Sequence, residues 1–134
     1  MTGHGRGLLD TSVFIASESG RPLDAQQLPD ESAASVVTLA ELQAGVLAAK
    51  DTDTRARRLV TLGVLADMEI LPVDEGVAFE WARLRVRLAE AGRRLNVNDL
   101  WIAATAVSKG LPVVTQDADY DALEEVAGLT IVRV

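Results

Sequence analysis

Cysteine is absent from this chain of 134 residues, and histidine occurs once, as His4 in a glycine-rich N-terminal stretch. The missing cysteine excludes disulfides, thiolate metal sites and cysteine nucleophiles. A single histidine gives no basis for a His-built zinc site or a Ser-His-Asp triad. No apolar run approaches the roughly 18 residues of a membrane span. The N-terminus lacks the charged-then-apolar pattern of a secretion signal, so the chain reads as a cytoplasmic protein with no membrane partner. Basic residues are in the minority, 13 against 20 acidic, for a net charge of −7. That balance argues against a nonspecific nucleic-acid coat protein. It leaves room for an enzyme that holds divalent cations and meets RNA locally, because two such ions would reduce the formal charge to −3.

What is present is an ordinary globular composition, 49% hydrophobic and 25% charged, at a length that suits a single domain over residues 1–134. Residues 1–7 read as a flexible lead-in with three glycines. Residues 7–10 form a short apolar strand ending on Asp10. Thr11 or Ser12 caps the helix that follows, with Val13, Phe14 and Ile15 on its buried side. Residues 19–30 carry Gly20, Pro22 and Pro29 and make a loop with one short helical turn. Residues 34–37 are the second strand. Thr38 then opens a helix to about Lys50, with Glu41 at capping-box spacing.

A further helix covers residues 51–65, and a third strand residues 69–73, where Pro72 favours a strand end. Residues 74–91 form an amphipathic helix with Val77, Trp81, Leu84 and Leu88 on one stripe. Asn98 opens a helix over residues 99–109 that is apolar nearly all round, the pattern of a helix buried in the domain centre. A fourth strand at 111–115, a turn and short helix at 116–127, and a fifth strand at 129–134 complete the chain. Strands alternate with helices throughout. The expected architecture is α/β, a three-layer α/β/α sandwich around a mostly parallel five-stranded sheet.

Four carboxylates stand where folding does not need them. Asp10 closes the first strand, Glu41 lies in the first turns of the second helix, Asp99 opens the buried helix, and Asp117 follows the fourth strand with Asp119 two residues on. In a parallel α/β sheet all of these fall on one rim, at the carboxyl ends of the strands, where ligands bind. Each residue alone has a plain explanation as a cap or turn acid. Their shared rim is what distinguishes them. Clustered carboxylates repel one another, and a hard divalent cation removes the conflict. An oxygen-only donor set points to Mg²⁺ or Mn²⁺ rather than zinc, and ions held this way activate water for attack on a phosphodiester.

The segment Leu8-Leu9-Asp10-Thr11-Ser12-Val13-Phe14-Ile15 resembles the opening motif of PIN-domain nucleases, especially VapC-type toxins of bacterial toxin–antitoxin pairs. Val36-Val37-Thr38-Leu39-Ala40-Glu41-Leu42 is similar to their second motif and Asn98-Asp99-Leu100-Trp101-Ile102-Ala103-Ala104-Thr105-Ala106 to their third. Val114-Thr115-Gln116-Asp117-Ala118-Asp119-Tyr120 resembles the last, with Tyr120 where the family usually has Phe. The resemblance covers nearly the whole chain. It implies that Asp10, Glu41, Asp99 and Asp117 are the catalytic, metal-binding acids, with Asp119 as a fifth contributor. Thr11, Ser12 and Thr115 are then the residues that orient carboxylates or water, and the Tyr120 change touches only local packing. It further implies a metal-dependent endoribonuclease leaving 5′-phosphate and 3′-hydroxyl ends, a homodimer, and a cognate VapB-type antitoxin.

Two other readings compete. A haloacid-dehalogenase-like phosphatase also places an Asp after its first strand, but a second Asp is expected two residues later, where this chain has Ser12, and no catalytic Lys follows Thr115. A PIN-fold interaction module with a decayed site conflicts with the presence of all four acids. Of the basic residues, Arg93 and Arg94 precede Asp99 closely enough to be candidates for gripping an RNA phosphate. The others read as solvated helix faces. Trp81 and Trp101 lie within apolar helical patterns and read as core or dimer contacts.

Overall fold

The computed structural model describes residues 5–134. Residues 1–4 of the expected lead-in, His4 among them, lie outside the described residues. Five strands form one sheet: β1 (Arg6–Leu9), β2 (Glu31–Ser35), β3 (Glu69–Leu71), β4 (Val113–Thr115) and β5 (Ile131–Arg133). Their order is β3-β2-β1-β4-β5, and every neighbouring pair is parallel. Six helices surround the sheet: α1 (Thr11–Glu18), α2 (Val36–Ala48), α3 (Thr52–Val64), α4 (Glu75–Glu90), α5 (Val97–Lys109) and α6 (Asp121–Ala127).

Successive strand residues point to opposite faces, and two cores follow. Leu8, Ala33 and Val113 face a cluster with Val77, Leu84 and Leu88 of α4, Ile102 and Ala106 of α5, and Leu123 of α6. Leu9, Ala34 and Val114 face a second cluster with Val13 and Phe14 of α1, Leu42 of α2 and Leu65. The expected three layers are therefore present. The expected burial of the 99–109 helix is also found, since Leu100 and Ile102 through Ala106 are all buried.

Several boundaries differ from the sequence expectation, for local reasons. Strand β1 starts at Arg6 rather than Gly7 and stops before Asp10, which is the N-cap of α1 and accepts from the Ser12 backbone N–H. Gly7 is required inside the strand, because a Cβ there would stand 2.8 Å from Val114 Cγ2. Strand β2 is displaced toward the N-terminus, to Glu31–Ser35, where it pairs with β1 in the register Arg6↔Glu31. Ser35, not Thr38, caps α2 by accepting from the Val37 N–H at 3.0 Å. The capping box is thus absent: Thr38 is fully buried inside the helix and Glu41 serves no cap. Asn96 caps α5, two residues ahead of the expected Asn98. Ile15 is 42% exposed rather than buried. The short turn expected in 19–30 is a 3-10 turn at Ala25–Gln27.

The strand order places the site. The chain leaves β1 toward β2 on one side and returns through β4 on the other, so the carboxyl ends of β1 and β4 flank the crevice where the winding direction reverses. Asp10 and Thr115 sit at those two ends, and the Asp10 N–H donates to the Val114 carbonyl at 2.8 Å.

Candidate metal centre and active site

Asp10 is the most buried acid, at 2% exposure, and its carboxylate is held on both oxygens. Oδ2 accepts from the Thr115 hydroxyl at 2.9 Å and from the Ser12 N–H at 3.3 Å, and Oδ1 accepts from the Tyr120 hydroxyl at 2.8 Å. Three donors on one carboxylate supply in the fold what water supplies outside it. The Ser12 hydroxyl lies 3.1 Å from the Thr115 hydroxyl and accepts from the Gln116 N–H at 3.0 Å, which locks the start of α1 to the end of β4. Thr115 Oγ1 also accepts from the Asp117 N–H at 2.9 Å.

Glu41 enters from α2. Its Oε1 accepts from the Thr11 hydroxyl at 2.7 Å, and Thr11 in turn lies 2.9 Å from the Thr38 hydroxyl. Asn98 Nδ2 reaches Glu41 Oε2 at 3.4 Å and links it to the first turn of α5. Asp99, one residue on, meets Asp117 and Asp119 from the turn after β4: one carboxylate oxygen from each lies within 4.8 Å of the others. Asp117 caps that turn, accepting from the Asp119 N–H at 2.9 Å.

Asp99 carries the electrostatic signature of this crowding. Burial, then the negative charges of Asp10, Asp117 and Glu41, push its carboxyl up to about 7, against an opposing hydrogen bond from Tyr120. Asp99, Asp117 and Asp119 thus form the compact group, and Asp10 and Glu41 stand outside it but bear on Asp99 through their charges. An oxygen-only group with a proton held up by mutual repulsion is a site that a hard divalent ion fits, since the ion replaces that proton and offsets the charges.

The hydroxyls of Thr11 and Thr115 contact Glu41 and Asp10, and Ser12 reaches Asp10 through its backbone N–H. Tyr120 corrects what the resemblance implied. The side chain does more than pack: it is fully buried and its hydroxyl is spent on the acids. Burial and the charges of Asp10 and Asp99 keep the phenol protonated. A buried hydroxyl needs a partner, so a tyrosine directly after the Asp117–Asp119 turn was the available signal. Thr38 and Asn98 were also missed as parts of the site.

Arg93 and Arg94 have no contact with the acids among the described residues. Arg93 pairs with Glu125 of α6 at 2.8 Å, and both line a cavity with Trp81, Val86 and Val97. Arg21 and Arg133 line a cavity of about 350 Å³ together with Thr115, Gln116 and Asp117. Arg133 is compensated by Asp121 and Glu124. Arg21 has no ion-pair partner among the described residues.

This geometry agrees with comparisons against known proteins. The PIN domain family model matches residues 7–128. The chain is 62% identical to Ribonuclease VapC5 of Mycobacterium tuberculosis over 96% of this chain and 95% of that protein. It is 45% identical to Ribonuclease VapC4 of the same organism over 94% and 97%. A crystal structure of VapBC-5, a member of the VapBC family of toxin–antitoxin systems from M. tuberculosis, superposes with a TM-score of 0.90 at 58% identity, covering 97% of this chain and 99% of that one. The dehalogenase-like reading is overturned by these matches. With a parallel sheet, a rim of acids at its switch point and relatives of this similarity, the chain belongs to the PIN-domain family, in the branch of the VapC ribonucleases.

Proposed function

We propose that this chain is a divalent-metal-dependent endoribonuclease acting in the cytoplasm as the toxin of a toxin–antitoxin pair. The observation that carries the reading is the grouping of Asp99, Asp117 and Asp119 within 4.8 Å, with the charges of Asp10 and Glu41 bearing on Asp99, in a chain with no cysteine and a single histidine. Asp10, Asp99, Asp117 and Asp119 would hold the ion, with Glu41 facing it from α2. Mg²⁺ or Mn²⁺ suits such donors. Bound there, the ion would supply acidified water and offset charge on the phosphoryl oxygens.

The remaining work falls to the chain's own residues. Thr115, Ser12 and Tyr120 fix Asp10, and Thr11 and Asn98 fix Glu41, so the carboxylates are set before RNA arrives. Arg21, which lines a cavity with Asp117, would meet a neighbouring phosphate of the RNA backbone. Hydrolysis then adds water across one P–O bond and leaves a 5′-phosphate and a 3′-hydroxyl. No side chain forms a covalent bond to the substrate. The reading is tested by incubating purified protein with single-stranded RNA. Cleavage with Mg²⁺ or Mn²⁺ and none with EDTA is expected; cleavage that survives EDTA would reject it.

The partner is a VapB-type antitoxin, by membership in the branch and by likeness to the crystal structure of VapBC-5. A second copy of the chain is the other proposed partner. The expected apolar stripe of α4 is consumed internally, since Val77, Leu84 and Leu88 are buried. The exposed apolar residues include Phe79 and Val86 on the outer side of α4 and Val97 at the start of α5, at 66, 57 and 59% exposure, besides others on α2 and α3 such as Leu47 and Val60. Val86 and Val97 line a cavity with Trp81, which stacks on Trp101 with ring centroids 4.9 Å apart. Apolar area of this kind on a small domain marks an interface. Light scattering is expected to give twice the chain mass without antitoxin, and Phe79→Glu with Val86→Glu to give the monomer.

A further inference from the structure

We infer that Tyr120 is a positioning residue of the metal centre, acting through Asp10; the inference rests on the metal-centre part of the functional reading above. The hydroxyl donates to Asp10 Oδ1 at 2.8 Å. It ties the acid at the end of β1 to the turn that follows β4, two segments that approach each other only in the tertiary fold. The ring is fully buried in the cluster shared by α4, α5 and α6. Its 3-10 turn follows directly from β4, and its own N–H is bonded to the Asp117 carbonyl. The hydroxyl therefore has little freedom to leave the acids.

Its effect follows from counting lone pairs. Asp10 Oδ2 is filled by Thr115 and Ser12. Oδ1 carries only the Tyr120 bond, so it is the oxygen still open to an ion, and Tyr120 fixes the direction in which its open lone pair points. A donor that orients a metal-binding carboxylate characteristically contributes about 10- to 100-fold to metal affinity. Removing the hydroxyl leaves Oδ1 without its partner. The alternative is a purely structural phenol, which fills the core and contributes stability alone. A third possibility is competition, in which the phenol occupies the oxygen the ion needs.

Tyr120→Phe separates these outcomes, with Mn²⁺ titrated into the purified protein by calorimetry, without RNA. Positioning predicts Mn²⁺ binding weakened about tenfold, a higher Mn²⁺ concentration for half-maximal cleavage, and an unchanged KM for RNA at saturating metal. Thr115→Val, which removes the donor on the opposite oxygen, should weaken Mn²⁺ binding in the same direction. Mn²⁺ affinity unchanged in a folded but less stable Tyr120→Phe would overturn the inference in favour of a structural phenol. Tighter binding would overturn it in favour of competition. Should Tyr120→Phe fail to fold, Thr115→Val carries the same measurement on the other oxygen of Asp10, and unchanged Mn²⁺ affinity in it overturns the inference. Wild-type protein that binds Mn²⁺ but cuts no RNA would reject the ribonuclease reading and leave the role of Tyr120 standing. Wild-type protein that binds no Mn²⁺ rejects both.

Discussion

Metal-free Asp99→Asn is expected to be more stable than the parent at pH 8, no more stable at pH 4, and inactive as a nuclease at any pH. The sign follows from the carboxyl of Asp99, raised from 3.8 to about 7. Below 3.8 the group is protonated in the folded and the unfolded chain, and its contribution to stability is fully present. As the pH rises through 7 the folded state must give up the proton beside Asp10, Asp117 and Glu41, and that contribution is lost. Asparagine keeps the volume and never acquires the charge. Because Asp99 is partly open to solvent, the repulsion it carries is screened, and the gain at pH 8 should be about 1–2 kcal/mol. Urea midpoints of both proteins in EDTA across this pH range measure it. Adding Mn²⁺ at pH 8 should stabilise the parent and not the variant, because a ligand stabilises only the state that binds it. A parent whose stability rises from pH 5 to pH 8 relative to the variant would contradict the crowding of the four acids.

Asp10→Asn and Asp10→Ala should both abolish cleavage yet differ sharply in stability. In Asp10→Asn the amide oxygen can keep the Thr115 and Ser12 bonds, while the NH₂ takes the place of Oδ1. Tyr120 then accepts from that NH₂ and turns its own proton toward Asp99, which a hydroxyl can do because it both donates and accepts. All partners remain satisfied, and the loss should be within about 1 kcal/mol. In Asp10→Ala, Thr115, Ser12 and Tyr120 lose their common acceptor at a site only 2% exposed. Several donors left dry, plus the emptied volume, should cost about 3–5 kcal/mol. Thermal or urea unfolding distinguishes the two, and the cleavage assay compares each with the parent. Retained activity in a purified, folded Asp10→Asn would remove Asp10 from the metal centre.

The class of fold was legible in local sequence, and so was the side of the sheet on which the candidate acids lie. Apolar segments such as Leu8-Leu9 and Val113-Val114, buried on both faces, alternate with amphipathic helices such as α4, and that alternation is a local pattern written in neighbouring residues. The rim follows from it, because in a parallel sheet every strand ends on the same side. Asp10, Glu41, Asp99 and Asp117 could thus be assigned to one place without coordinates. Local rules failed where several were available at once. Ser35 and Thr38 are both competent caps, and only pairing of Glu31 with Arg6 across the sheet decided that the strand ends at Ser35 and frees Thr38 to be buried against Thr11. Arg93 and Arg94 are near Asp99 in sequence, but the loop before α5 turns Arg93 to Glu125, while Arg21, remote in sequence from Asp117, lines a cavity together with it. Tyr120 is the sharpest case. Its hydroxyl meets a carboxylate 110 positions away, and what a buried hydroxyl bonds to depends on which distant element the fold brings within hydrogen-bond reach, a quantity that no local pattern contains.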